Sequence, residues 1–107
     1  MDIDQRIAQF EKMANDDAEN DMAHFSLGNA YMQAGRYPEA AGSFRRSFEL
    51  NPAMTKAYEK CGAALMAADQ GEQAIAVLQE GFVEAASRGD LMPKRAMQEM
   101  LEKLGAG

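Results

Sequence analysis

The feature that most constrains this chain is its resemblance to itself at an offset of 34 residues. Laying the segment that starts at Asp21 over the one that starts at Thr55 gives seven identities. They are Ala23/Ala57, Gly28/Gly62, Ala30/Ala64, Met32/Met66, Ala34/Ala68, Ala40/Ala74 and Phe48/Phe82. Other pairs keep size or type, among them His24/Tyr58, Tyr31/Leu65 and Phe44/Leu78. Small residues fall on small and large on large, so the register is more than an effect of abundant alanine. A period of this length marks stacked supersecondary units rather than one irregular domain.

Each unit reads as a helical hairpin. Ala23, Leu27, Ala30, Tyr31 and Ala34 recur at helical spacing, and Gly35 can take the positive φ that stops a helix. Pro38 falls in the first turn of the next helix, where its missing N–H is not needed. That helix offers Ala40, Phe44 and Phe48 and ends near Asn51-Pro52. A third helix spans about 55–68, Asp69-Gln70-Gly71 turns the chain, and a fourth helix continues to about Ser87. The pairs Gly28/Ala40 and Gly62/Ala74 put small residues where antiparallel helices must approach closely. Sheet is excluded by composition: only six residues are β-branched, against twenty alanines.

The run His24-Phe-Ser-Leu-Gly-Asn-Ala-Tyr31, followed by Gly35, Tyr37, Ala40, Phe44 and Pro52, resembles a tetratricopeptide repeat. Tyr58, Gly62, Leu65, Ala74 and Leu78 fill the matching places of a second unit, which departs from the pattern at Cys61, Asp69 and Ala86. The resemblance implies an all-α, right-handed superhelical stack of about six helices. Its expected divisions are an N-terminal half-repeat helix over 2–20, repeats over 21–54 and 55–88, and a capping helix over 89–104. In the first of these Ile3, Ile7, Phe10 and Met13 share one stripe, and Phe10 lies one period before Phe44. In the last, Asp90 suits an N-cap and Met92, Ala96, Met100 and Leu104 share one side. The ending from Arg88 to Leu101 is also similar to the close of short bacterial repeat regions. Some of those precede an iron-trafficking-type domain, although these residues contain no recognisable iron motif.

Function is read from what the packing pattern leaves over. Proteins that resemble this family line a concave groove with first-helix residues outside the packing signature. The matching residues here are Phe25, Asn29, Met32, Gln33, Lys56, Glu59, Lys60, Ala63, Met66, Met97 and Met100, with Pro93 at the last helix's start. Methionine outnumbers leucine, nine to seven, and Met32, Met66 and Met100 are spaced by the period. Unbranched, polarisable side chains suit a surface that adapts to an apolar peptide or amphipathic helix. They equally suit gaps between helices, and the sequence leaves both readings open. Some relatives grip a C-terminal carboxylate through Lys, Asn, Asn, Lys and Arg. The matching slots here hold Phe25, Asn29, Lys60, Asp90 and Lys94, so that clamp is not expected.

Chemistry finds little support. His24 occupies a packing slot, as does Cys61, the single cysteine. The run Asp16, Asp17, Glu19, Asp21 lacks the glycine and spacing of a calcium loop and suits the start of a helix better. A net charge of −6 disfavours phosphate-neutralising nucleic-acid binding. The expectations are therefore a protein interaction module, an adaptor or scaffold and not an enzyme, with no cofactor or metal. Its partner is a protein or peptide, not nucleic acid or membrane, its location cytoplasmic, and its state a monomer or weak homodimer. The alternative is a self-association (dimerisation) module, should the 3/7/10/13 stripe be left bare, or a scaffold appended to another domain.

Overall fold

The computed structural model describes residues 1–107 and contains six α-helices and no strand. They are α1 (Ile3–Asp16), α2 (Asp21–Gln33), α3 (Tyr37–Leu50), α4 (Thr55–Ala67), α5 (Gly71–Arg88) and α6 (Leu91–Lys103). Each packs chiefly on its neighbours in sequence, and α4 also touches α6, which gives a stack of hairpins measuring 38 × 27 × 19 Å.

Local chemistry sets the ends. Asp2 and Gln5 form a reciprocal capping box that satisfies two backbone N–H groups at the start of α1. The Asn20 side chain, rather than one of the neighbouring carboxylates, caps α2 by accepting from the Ala23 N–H at 3.1 Å. Asp90 stands at the N-cap position of α6, yet its carboxylate accepts from Thr55 Oγ1 at 2.9 Å instead of capping. It therefore ties two first helices together at their N-terminal ends. Gly35, Asp69 and Gly105 end α2, α4 and α6 with positive φ, and at each end a backbone N–H returns to the helix in the same way. Asp69 holds this conformation without glycine's freedom, which a short polar side chain tolerates better than most.

These repeated endings fix the register. First helices begin at 21, 55 and 91, and their positive-φ turns fall at 35, 69 and 105, so the offset is 34 and then 36. The change comes from α5, which has 18 residues where α3 has 14. Pro52 stands just past the end of α3, and a proline biases the residue before it away from helical backbone. The equivalent position is Ala86, so α5 runs on until Gly89, at φ 72, stops it. The following connection is shorter, and the net displacement is two residues.

The hairpins close over glycine. Phe44 lies on Gly28 so tightly that a Cβ there would sit 2.7 Å from its ring, and Leu78 crowds Gly62 in the same way. The glycines therefore meet the large second-helix residues, while Ala40 and Ala74 are completely buried beside them. Between hairpins, Phe48 stacks on Tyr58 with ring centroids 4.0 Å apart, and the Tyr31 hydroxyl donates to Glu11 at 2.6 Å. Burial, followed by that hydrogen bond, pushes the Tyr31 phenol up to about 12.

Two alanine substitutions separate packing from helix propensity. Gly62→Ala inserts a methyl group into Leu78 and is expected to cost about 1–3 kcal/mol. Gly42→Ala in α3, with open space around the added atom, is expected to add about 0.5–1 kcal/mol. Urea unfolding of the two variants beside the wild type measures both.

Candidate interaction surface on the first helices

Side chains that α2 and α4 do not spend on packing form a stripe down each helix. On α2 it comprises Met22, Phe25, Asn29, Met32 and Gln33; on α4 the same positions hold Lys56, Glu59, Ala63, Met66 and Ala67. None of these ten is buried. Phe25, Met32 and Met66 are half-buried with their inner sides against the core, which fixes them while leaving the outer sides free. Lys60, half-buried beside the α4 stripe rather than on it, reaches towards the α2 stripe, with its Nζ 5.8 Å from the centroid of the Phe25 ring. Phe25 is held in turn edge-on to Phe44, with centroids 5.5 Å apart. Lys56 pairs with Glu59 at 3.4 Å, and Arg6 of α1 donates to Gln33 at 2.9 Å. The stripe thus has apolar anchors braced from below and polar groups beside them.

On α6 the two-residue shift changes which side chains join it. Met97 is completely buried, with its sulfur against Gly81, and corresponds to Leu27 and Cys61 of the earlier first helices. It belongs to the core and leaves the candidate surface. Met100 is half-buried against the core and corresponds to Ala30 and Ala64, so it does not extend the ladder of Met32 and Met66. That place falls to Glu102, and the positions above it to Met92, Arg95 and Glu99. The slots compared with a carboxylate clamp move likewise, from Asp90 and Lys94 to Met92 and Ala96, which have no charge to offer. Met22 and Met92, 55% and 78% exposed, lie on the stripes; the sequence pattern did not single out Met22 and grouped Met92 with Ala96, Met100 and Leu104 instead. Gly105, 70 residues after Gly35 where two periods of 34 reach only 103, was the signal in the sequence for the shifted register.

The groups with reactive chemistry stand elsewhere. The Cys61 Sγ donates to the Ala41 carbonyl at 3.4 Å, and burial pushes its thiol up to about 11. His24 Nε2 donates to the Ala18 carbonyl at 2.9 Å and so pins the α1–α2 connection. Asp21 is engaged by the Asn51 side chain at 2.8 Å, and no cluster of His, Cys, Asp or Glu has the geometry of a metal site. No helix is long and apolar enough to cross a membrane.

Comparison with known proteins agrees with this architecture. Residues 22–53 match the family model described as tetratricopeptide repeat. The chain is 31% identical over 98 residues to the TPR repeat-containing protein PA0015 of Pseudomonas aeruginosa, covering 92% of this chain and 93% of that one. It is 34% identical over 87 residues to the Protein SGT1 homolog of Oryza sativa subsp. japonica, 81% of this chain but only 21% of that protein. Among solved structures, the TPR2B domain of yeast Sti1, in its complex with pHsp70, superposes with a TM-score of 0.82 at 17% identity. That match covers 92% of this chain and 79% of the domain's. Protein BPP2914 of Bordetella parapertussis superposes at 0.76 with 23% identity, covering 92% and 86%.

With a thiol pKa of about 11, on the order of one Cys61 in a thousand is ionised at pH 8. Alkylation by iodoacetamide at that pH is expected to be at least about 100-fold slower in the native chain than in urea. Equal rates would show that the thiol is open to solvent.

Proposed function

We propose that this chain, which belongs to the tetratricopeptide repeat family, holds a peptide or amphipathic helix of a partner protein against the stripes of its first helices. The fold is that of protein–protein interaction modules, whose members act in general as adaptors rather than enzymes. What carries the finer reading is the pair Met32 and Met66, at equivalent positions on successive first helices and half-exposed above the core. Phe25 joins them as a rigid apolar anchor. Thioether side chains re-pack around apolar groups of different shape at little cost, so they favour a surface that accepts a varied segment.

Asn29, Gln33, Lys56, Glu59 and Lys60 would orient the bound segment, and Ala63, one turn before Met66 on α4, leaves room for a bulky ligand side chain. Lys60, spread over Phe25 and without a carboxylate partner, favours an acidic residue in the ligand. Met22 and Met92 extend the apolar track at its N-terminal end. Towards α6 the surface becomes charged, with Arg95, Glu99 and Glu102, so apolar anchors of a ligand belong over α2 and α4.

Peptides selected on the immobilised chain from a random display library provide the test. The Met32→Glu/Met66→Glu double variant, checked for folding by circular dichroism, should bind them at least about 10-fold more weakly by fluorescence anisotropy, since losing one apolar anchor costs about 1.5–3 kcal/mol. Gln79→Glu on α5 should leave affinity unchanged. Loss of binding in the α5 variant with retention in the double variant would move the site to the second helices.

A further inference from the structure

The stack presents an outer face at each end, and the two faces are complementary in kind. α3 shows how a second helix divides its contacts. Phe44 lies on Gly28 and the Ser47 hydroxyl reaches the Asp21 carbonyl at 3.1 Å, so the 40/44/47 side meets the helix before it. Cys61 donates to the Ala41 carbonyl and Phe48 stacks on Tyr58, so the 41/48 side meets the helix after it. α1 begins and ends 34 residues before α3 and has the same length, 14 residues. Its Ile7 and Ala14, equivalent to Ala41 and Phe48, are buried, whereas Arg6 and Met13, equivalent to Ala40 and Ser47, are exposed. α1 is therefore a second-type helix whose first-helix side is open.

α6 is the converse: a first-type helix, with its turn at Gly105, whose second-helix side is open. Two surface depressions run along that side. One, of about 320 Å³, is lined by Phe82, Val83, Leu101 and Ala106; the other lies between Leu91, Lys94 and Arg95. They meet at Gln98. By length, register and apolar content, the element in this structure that suits the track is a helix like α1, offered by a second copy.

The residues at the closest point forbid it. A hairpin here closes most tightly over glycine, since one added carbon at Gly28 or Gly62 crowds the large second-helix side chain. It also buries Ala40 and Ala74 completely on the second helix. The open faces carry Gln98 in the glycine place and Arg6 in the alanine place. Each adds a long polar side chain where the partner's backbone must come closest; docking would strip Gln98 of water and crowd Arg6, whose guanidinium already donates to Gln33 of α2. We propose that Arg6 and Gln98 are a pair of blocking residues that keep copies of this chain from stacking head to tail, α1 of one upon α6 of the next. Contacts of that kind are heterologous and do not close, so without a block they would grow into open chains.

Complementation tests this directly. Arg6→Ala opens only the α1 face and Gln98→Gly only the α6 face, so each variant alone should sediment as a monomer, like the wild type. Mixed in equal amounts at 100 μM or so, they should give a 1:1 dimer of twice the mass. The double variant Arg6→Ala/Gln98→Gly should form chains that lengthen with concentration. Should Gln98→Gly fray α6 by circular dichroism, Gln98→Ala keeps the helix and should give the same heterodimer, more weakly. A mixture of folded variants that stays monomeric would overturn the proposal. Assembly of the wild type under the same conditions, or of either single variant with itself, would overturn it as well.

Discussion

Everything in this fold depends on how closely the two helices of a hairpin can approach. Gly28 beneath Phe44 and Gly62 beneath Leu78 have no side chain to hold the axes apart, so one large residue covers the opposite backbone. Once the hairpins close in this way, Phe48 can reach Tyr58 and Cys61 can reach Ala41 in the next unit. The stack then grows by repetition, each unit touching mainly its neighbours. The stripes that remain on the first helices are a by-product of that geometry. Their side chains are braced by the core without being consumed by it, and that is a condition for recognition without a large ordering cost.

The sequence revealed the repeating part of this architecture because the repeat leaves marks that have physical causes. Glycine at 28 and 62 reports close approach, and Gly35 reports a left-handed turn. Pro38 and Pro52 bracket a helix from its two ends. The shift at α6 escaped because it arises from something missing. Where Pro52 ends α3, Ala86 places no obstacle, and α5 continues by helix propensity alone to Gly89. A strict 34-residue extrapolation then carries Met97 and Met100 to surface places that the chain gives to Glu99 and Glu102. Asp90 was misread for a related reason. Its position suggests a cap, but Thr55 lies across the gap and claims the carboxylate, which no local pattern can reveal.

The stripe 3/7/10/13 on α1 shows why a periodic pattern alone does not decide between packing and association. Ile7 is buried and Ile3 and Phe10 pack partly against the core, while Met13 remains 44% exposed. A helix that is second in type but lacks its first helix can use only one of its two contact sides. On the other side stands the exposed Arg6, whose guanidinium donates to Gln33 of α2. The same distinction separates α6 from α2 and α4, whose overall helical pattern it shares.

The nine methionines make the central claim, that the first-helix stripes are the binding face, open to a direct measurement. Their methyl resonances report the surface and the core at once. In a titration of the 13C-methyl-methionine chain with a selected peptide, Met22, Met32 and Met66 should shift and broaden. Met97, enclosed against Gly81, and Met13, on the outer side of α1, should stay in place. Perturbation of Met13 or Met97 with Met32 and Met66 unmoved would contradict the account.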